Sequence, residues 1–404
     1  MTPVRPIRAT IPLDEARALL REAAVPLDRT ERIAIADASG RVVAQDIVST
    51  VDVPPFDRAA MDGYAVIAED TFRASADDPR SLRAIGRVFT GQISSTTVTR
   101  GTCIEVATGA PLPDGADAVV MAEETDRTGD MVRVMTPVYP KQHVGRRGAD
   151  ITAGQALFTP GIVLNPSRIG ALAAIGLVDV LVYAKPVVAI ASTGNEVVDP
   201  GQPLEPGEIY DINRFTLSAV VEAHGGRAQV HRAVPDDLDS LARAIGETAD
   251  CDILVFSGGS SVGERDLLYD AIDRAGDVIF HGIALKPGKP TAFGRIGTRL
   301  VFGMPGYPSS CLSNAYLLLV PALRRLARLP EHQPMTVRVP LARRVISTTG
   351  RHQFYTVRLV DGTAVPAFKA SGDITSMSHA DGYIEIPAQT DIVEAGQTVE
   401  VKLF

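Results

Sequence analysis

Residues 253–263 read Ile-Leu-Val-Phe-Ser-Gly-Gly-Ser-Ser-Val-Gly, an apolar run that stops abruptly at serine and glycine. Such a run, bounded by turn formers, predicts a buried strand entering a loop that allows close backbone approach. The pattern recurs nearby. Residues 187–191 are Val-Val-Ala-Ile-Ala and run into Ser192-Thr193-Gly194-Asn195-Glu196. Residues 300–303 lead through Met304-Pro305-Gly306-Tyr307-Pro308-Ser309-Ser310 into a long apolar helix reaching residue 329. Helical periodicity covers 213–224, where Gly225-Gly226 is the expected carboxyl-terminal cap. Further helices are expected after Asp236-Asp237 and over about 264–274, with strands near 229–234 and 278–280. This rhythm, from 186 to 330, argues a doubly wound, parallel-type sheet with helices on both faces. In such sheets ligands sit beyond the carboxyl ends of the strands.

The flanks differ. Residues 1–185 open with an amphipathic helix at 13–23 and continue through short β-rich pieces broken by Gly, Pro and Asp. Residues 331–404 alternate with period two, as in Thr336-Val-Arg-Val-Pro340 and Gln397-Thr-Val-Glu-Val-Lys402, which predicts a small all-β domain. The linker between it and the α/β unit is placed at 330–334. The fold class expected is multidomain α/β plus β.

Composition limits the function. The 404 residues carry a formal net charge of −8 with acidic and basic residues interleaved, so the basic stripe of a nucleic-acid binder is missing. No apolar run approaches the roughly 20 residues that span a bilayer, and the first 20 residues have no secretory-signal pattern. A cytoplasmic location is the expectation. Cys103, Cys251 and Cys311 are far apart and odd in number, and the seven histidines are scattered, which argues against a disulfide framework or a zinc site. Only six of the 40 basic residues are lysine, and two of these lie in one short turn, Lys286-Pro287-Gly288-Lys289-Pro290. An ammonium on a flexible stem follows an oxyanion where the planar arginine fork demands a fixed angle. If the substrate is anionic, this pair supplies the local positive field.

The loops 257–263, 286–290 and 304–310 all contain glycine, and two open onto helices, the arrangement that presents N–H groups to a phosphate. None matches the nucleotide-hydrolase or dinucleotide fingerprints. Asp266 follows the first loop, and Glu208 and Asp211 follow Gly207. Carboxylates beside a phosphate-binding edge repel the ligand unless a divalent cation lies between them, and magnesium takes carboxylates with phosphate oxygens in this way. A first-turn helix cap is the other reading of Asp211 and Asp266, and the two roles are compatible. In the amino-terminal half the dense segments are Pro54-Pro-Phe-Asp-Arg-Ala-Ala-Met-Asp-Gly-Tyr-Ala-Val66, with Asp57 and Asp62, and 107–119, with Thr108.

These segments, with Gly207-Glu-Ile-Tyr-Asp-Ile-Asn213 and Pro305-Gly-Tyr-Pro308, occur in an order that resembles the molybdopterin molybdenumtransferases, relatives of the carboxyl-terminal domain of gephyrin. The resemblance covers essentially the whole chain. It implies insertion of molybdate, or tungstate, into adenylylated molybdopterin with release of AMP and with Mg2+ present. It also implies a homodimer in which the α/β domain of one subunit faces the amino-terminal β-rich domain of the other. The domains it implies are an elongated linker domain (1–50 and 140–185), a β-rich domain (51–139), the α/β molybdopterin-binding domain (186–330) and a small β-barrel-like domain (331–404). Molybdopterin adenylyltransferase and the molybdoenzymes that receive the cofactor are the protein partners such a member meets.

Carried over by position, Ser257, Gly258, Gly259 and Asp266 resemble the pterin-phosphate and metal end of the cleft, with Glu208 and Asp211 as further acidic positions and Glu208 beside Asp266 as metal ligand. Lys286 and Lys289 resemble the basic turn that holds phosphate or oxyanion. Thr193, Gly194, Gly263, Pro287, Gly288 and Pro290 join the substrate-binding set, as do Gly306 and Pro308. Asp57, Thr108 and Asp150 match positions contributed across the dimer, with Asp57 counted as catalytic. Ser310, Arg351 and, in the loop that follows, Ser371 or Ser376 resemble positions associated with molybdate. The chain departs from many bacterial members at His281-Gly282, where they carry another lysine, at Tyr307, where they carry Asn, and at Asn195, where they carry Asp. Losing one lysine near an oxyanion costs about 1.5–3 kcal/mol. Two other functions share the α/β fold: a non-catalytic molybdopterin-binding scaffold and molybdopterin adenylyltransferase. The carboxylates speak against the first and the flanking β-rich halves against the second.

Overall fold

The structure, a computed structural model, describes residues 10–258 and 267–404. Six strands lie side by side in the order Arg227–Val230, Val187–Ser192, Ile253–Ser257, Arg299–Met304, Ala292–Ile296 and Asp277–His281. The first four are parallel, with Ala189 opposite Leu254 and Leu254 opposite Val301. Ile190, Val255 and Phe302 enter one core with helix Asn213–Ala223, while Ala191, Phe256 and Val301 enter the other with helices Leu238–Glu247 and Leu267–Ala275. Burial on both faces is why these strands read as unbroken apolar runs rather than alternating ones.

The sheet departs from the parallel expectation at one edge, because Ala292–Ile296 runs antiparallel to both of its neighbours. Ile296 pairs with Arg299 across the two residues Gly297 and Thr298, with Gly297 at φ +60°. A two-residue link makes a hairpin and is far too short for a parallel crossover. The expected long helix after residue 307 is also interrupted. Pro308–Asn314 passes through a π-turn, Ala315–Leu319, into Val320–Leu326. Pro321 has no N–H and its ring crowds the carbonyl one turn back, which a widened turn accommodates.

The same unit contains a second six-stranded sheet, in which His352–Val360, Gly382–Ile386, Thr398–Leu403 and Thr336–Pro340 follow one another and Thr363–Pro366 folds back on His352–Val360. Its core is Leu341, Val357, Ile384, Ile386 and Val401. The remaining strand, Leu285–Lys286, comes from the α/β region and pairs parallel with His352–Val360. Helix Leu13–Ala23 buries Leu13, Ala16 and Leu20 in the core of the α/β sheet and belongs to the same unit as that sheet, as do the residues after it up to Glu31 and Gly40–Val42. The other unit, Arg32–Ser39 with Val43–Leu181, is built on a sheet ordered Ala118–Met121, Gly63–Val66, Thr102–Val106, Arg80–Val88, Met131–Val134 and Thr125–Thr128. Gly63 is obligatory there, since a Cβ would lie 1.9 Å from the carbonyl oxygen of Val120. Among the described residues no helix is long and apolar enough to cross a membrane.

Glu385 ties the amino-terminal helix to the carboxyl-terminal sheet. Its carboxylate lies 2.7 Å from His352 Nε2, accepts from Lys402 Nζ at 2.5 Å and faces Arg17 at 3.5 Å. Burial pushes this carboxyl up, but the hydrogen bonds from His352 and Lys402 and the charge of Arg17 outweigh it and hold it at about 2. A folded value below the ordinary 4.5 means the stabilisation is complete above pH 4.5 and is lost as pH falls toward 2. Glu385→Gln is therefore expected to lower unfolding free energy at neutral pH by on the order of 3 kcal/mol, with the deficit shrinking in acid. Urea unfolding across this pH range checks it; a deficit independent of pH refutes it.

Candidate functional site

At the carboxyl ends of the parallel strands three loops meet backbone to backbone. Thr193 N donates to the carbonyl of Ser257 at 2.8 Å, and Gly258 N donates to that of Met304 at 3.0 Å. Gly258 has φ +105°, and a Cβ there would sit 2.4 Å from the carbonyl oxygen of Thr193. A Cβ on Gly306 would lie 3.3 Å from Gly258 Cα. Glycine is what lets these strand ends close on one another. Above them opens a cleft of about 860 Å³, whose walls include the expected Thr193, Gly194, Glu208, Asp211, Ser257 and Gly258. Pro290, Gly306 and Pro308 also line it. Its rim is apolar and aromatic, with Leu204, Ile209, Tyr210 and Tyr307 exposed.

Asp211 makes the contacts of a helix cap. It is 4% exposed, accepts from Ser192 Oγ at 2.8 Å and from the backbone N of Arg214 at 3.0 Å, and faces Arg214 Nε at 3.3 Å. It therefore fixes the start of helix Asn213–Ala223 as a capping carboxylate with its charge compensated. Ser192 Oγ also lies 3.4 Å from Ser257 Oγ, so a polar chain joins two adjacent strand ends. Glu208 stays partly exposed on the cleft wall, its Oε2 accepting from Glu205 N at 2.9 Å.

The lysine turn reaches the cleft through Pro290; Lys286 and Lys289 are not among the wall residues. The turn is held from three directions. Leu285–Lys286 pairs with His352 and Gln353, and the carbonyl of Lys289 accepts from Ile283 N and Thr291 N, each at 3.0 Å. Buried Asn314 donates through Nδ2 to the carbonyl of Gly288 at 3.2 Å and to Thr291 Oγ1, which itself donates to the Gly288 carbonyl at 2.8 Å. Gly288 has φ +109°, and a Cβ would meet Asn314 Oδ1 at 2.2 Å. The Lys286–Pro287 peptide is cis. Gly282, one of the departures, has φ +99°, a conformation in which a lysine is strained. His281 packs its ring against Tyr269, centroids 5.0 Å apart.

Ser310 is buried next to Ser309, whose N and Oγ both donate to the carbonyl of Ser371, at 3.2 and 2.6 Å. Gly372, beside Ser371, lines the cleft; Ser376 is buried, with its hydroxyl donating to the Asp373 carbonyl at 2.8 Å. Arg351 N donates to the carbonyl of Thr348 at 3.3 Å. Asp57, Thr108 and Asp150 belong to the other unit. There Asp57 accepts from Arg147 N at 2.7 Å, and Asp150 N donates to the Val53 carbonyl at 3.0 Å. Thr108 donates its N and hydroxyl to Asp62, and those two bonds hold the Asp62 carboxyl below its usual range. Gly259, Gly263 and Asp266 lie outside the described residues. Sequence reasoning missed Glu196, Asn213 and Asp236 on the cleft wall, and Asn314 behind the turn. Burial pushes the thiols of Cys103, Cys251 and Cys311 up, Cys103 to about 12, so none is a thiolate nucleophile.

The class defined so far is a multidomain α/β protein with its cleft at the strand ends. Residues 11–176 match the MoeA N-terminal region (domain I and II), 189–325 a probable molybdopterin binding domain and 338–404 the MoeA C-terminal region (domain IV). A putative molybdopterin biosynthesis protein of Methanocaldococcus jannaschii is 34% identical over 93% of this chain and 92% of its own. The molybdopterin molybdenumtransferase of Haemophilus influenzae is 31% identical over 97% of this chain and 98% of its own. A crystal structure of the molybdopterin biosynthesis MoeA protein from Pyrococcus horikoshii superposes with a TM-score of 0.85 at 40% identity, covering 98% of this chain and 99% of that one. The chain belongs to the molybdopterin molybdenumtransferase family.

Because Gly288 combines a left-handed φ with contact on Asn314, Gly288→Ala is expected to destabilise the α/β region by at least about 2 kcal/mol. Thermal unfolding measures this. An unchanged melting temperature refutes the locked turn.

Proposed function

We propose that this chain inserts molybdate into adenylylated molybdopterin with release of AMP, in the synthesis of the molybdenum cofactor. The observation that carries the reading is the convergence of three glycine-tightened loops and the lysine turn on one sheet edge. Both substrates are anions, so the work of the site is to bring like charges together, which calls for cations and fixed N–H donors rather than a protein nucleophile. Lys286 and Lys289 supply the positive pole for phosphate or oxyanion, with molybdate or tungstate as the incoming substrate. Ser257, Gly258 and Gly306 floor the cleft, and the apolar rim at Leu204, Ile209, Tyr210 and Tyr307 suits the flat ring systems of the adenylylated pterin. Ser310, Arg351 and Ser371 are assigned to the oxyanion end.

Magnesium fits the donors in a limited way. Among the described residues no group of three His, Cys, Asp or Glu side chains converges, and Asp211 is committed to Ser192 and Arg214. Mg2+ characteristically takes one or two carboxylates plus phosphate oxygens; Glu208, on the cleft wall, and Asp266, outside the described residues, would supply the carboxylates and the substrate the phosphate oxygens. When bound, the ion neutralises phosphate charge. The protein is further read as a cytoplasmic homodimer in which Asp57, Thr108 and Asp150 of one subunit complete the cleft of the other. Molybdopterin adenylyltransferase and recipient molybdoenzymes are its proposed partners.

The test is AMP release from adenylylated molybdopterin with and without molybdate. Release is expected to require molybdate and to fall at least ~tenfold in Lys286→Ala, the cost of a charged hydrogen bond. A tight pterin complex that never releases AMP, or full turnover in Lys286→Ala, overturns the reading.

A further inference from the structure

Lys286 carries a long, rotamer-rich side chain, and an ammonium on such a stem contributes little to a pre-organised site unless something fixes its head group. Here something does. Lys286 Nζ donates to Thr348 Oγ1 at 2.7 Å, in a partly buried contact spanning 62 positions. Both ends of this contact are anchored. The Lys286 backbone is paired with Gln353 on strand His352–Val360 of the carboxyl-terminal sheet. Thr348 sits in the loop before that strand, and every neighbour in the loop is tied down. Ser347 N donates to the Asp391 carbonyl at 2.7 Å, and Ser347 Oγ donates to Gln353 Oε1 at 3.0 Å. Thr349 Oγ1 donates to Asp391 Oδ1 at 2.6 Å, and Gly350 N donates to the Ala388 carbonyl at 2.9 Å. Thr348 is β-branched, so its hydroxyl has few rotamers to choose from.

We infer that Thr348 is a positioning residue for the reaction, holding the Lys286 ammonium in a fixed direction so that its two remaining N–H donors face the anionic substrate. The inference rests on the reading of Lys286 given above. Thr348 takes one of the three ammonium donors as a neutral acceptor, so it orients the group without neutralising it, which a carboxylate in the same place would do. Its own carbonyl accepts from Arg351 N at 3.3 Å, so one residue sets both the lysine head group and the turn that carries the arginine.

The experiment is a double-mutant cycle on molybdate-dependent AMP release, using the full chain. Wild-type release comes first: if it is absent, the functional reading fails and not this inference. Given wild-type release, Thr348→Val is expected to lower kcat/KM about tenfold, and Thr348→Ser, which keeps the hydroxyl, to restore it to within about twofold. In a Lys286→Ala background Thr348→Val is expected to add no further loss, because Thr348 acts through Lys286. Equal losses in both backgrounds mean a structural role and overturn the inference, as does wild-type kcat/KM in Thr348→Val. Should the valine variant fail to fold, Thr348→Ala enters the same cycle and is read in the same way.

Discussion

The contact on which the site depends is the closure of Asn314 on Gly288. Asn314 is fully buried, and its amide holds the Gly288 carbonyl and Thr291 Oγ1 together. Lys289 lies between these two anchor points and Lys286 two residues before the first. Asn314 comes from the helix that follows the loop 304–307, Thr291 precedes the hairpin edge of the sheet, and Lys286 is paired into the carboxyl-terminal domain. Three otherwise separate elements are thereby referred to one buried amide. Its Oδ1 has no hydrogen-bond partner among the described residues and lies where a Cβ on residue 288 would fall. An unsatisfied buried acceptor costs about 1–3 kcal/mol, so the turn is held at some expense of stability, as is common where a chain must present charge in a set direction.

The fold was legible where its physics is local. Apolar runs ending in glycine located the three central parallel strands, because burial on both faces leaves no alternation to confuse them. The antiparallel edge was missed although Gly297-Thr298 is a usable two-residue hairpin signal; the preceding Ala-Phe-Gly-Arg-Ile is too short and mixed to stand out. Leu285–Lys286 was illegible for a different reason. Two residues that pair with a strand of another domain carry no periodicity at all, and the pairing is decided by tertiary packing.

The site divides in the same way. Gly258, Gly306 and Gly288 announced themselves as glycines in strand-end loops; a Cβ on Gly258 would run into the Thr193 backbone, one on Gly306 would crowd Gly258 Cα, and one on Gly288 would run into the Asn314 side chain. Asp211 was read both as a helix cap and as a site carboxylate; its Oδ1 accepts from Ser192 Oγ and Arg214 N in the capping manner, and its Oδ2, paired in charge with Arg214, has no hydrogen-bond partner among the described residues. Thr348 and Asn314 gave no signal, because a threonine in a Ser-Thr-Thr-Gly loop and an asparagine in a helix are ordinary residues until the fold brings Lys286 and Gly288 against them.

The division of labour between the two basic side chains then follows from geometry. Arginine serves the framework: Arg29 grips Asp252 with two parallel bonds of 2.8 and 2.6 Å, and Arg214 and Arg17 meet carboxylates that fix helix positions. A planar fork suits partners that never move. A site that must hold a substrate, receive a second anion and release a product needs a cation whose partners change, and in a chain of net charge −8 that cation cannot rely on a general positive field. If Lys286 fills that role as proposed, its ammonium is held by a paired backbone below it and a single neutral hydroxyl beside it. The carboxyl-terminal domain thus supplies the fixed half of a cation that the α/β domain carries.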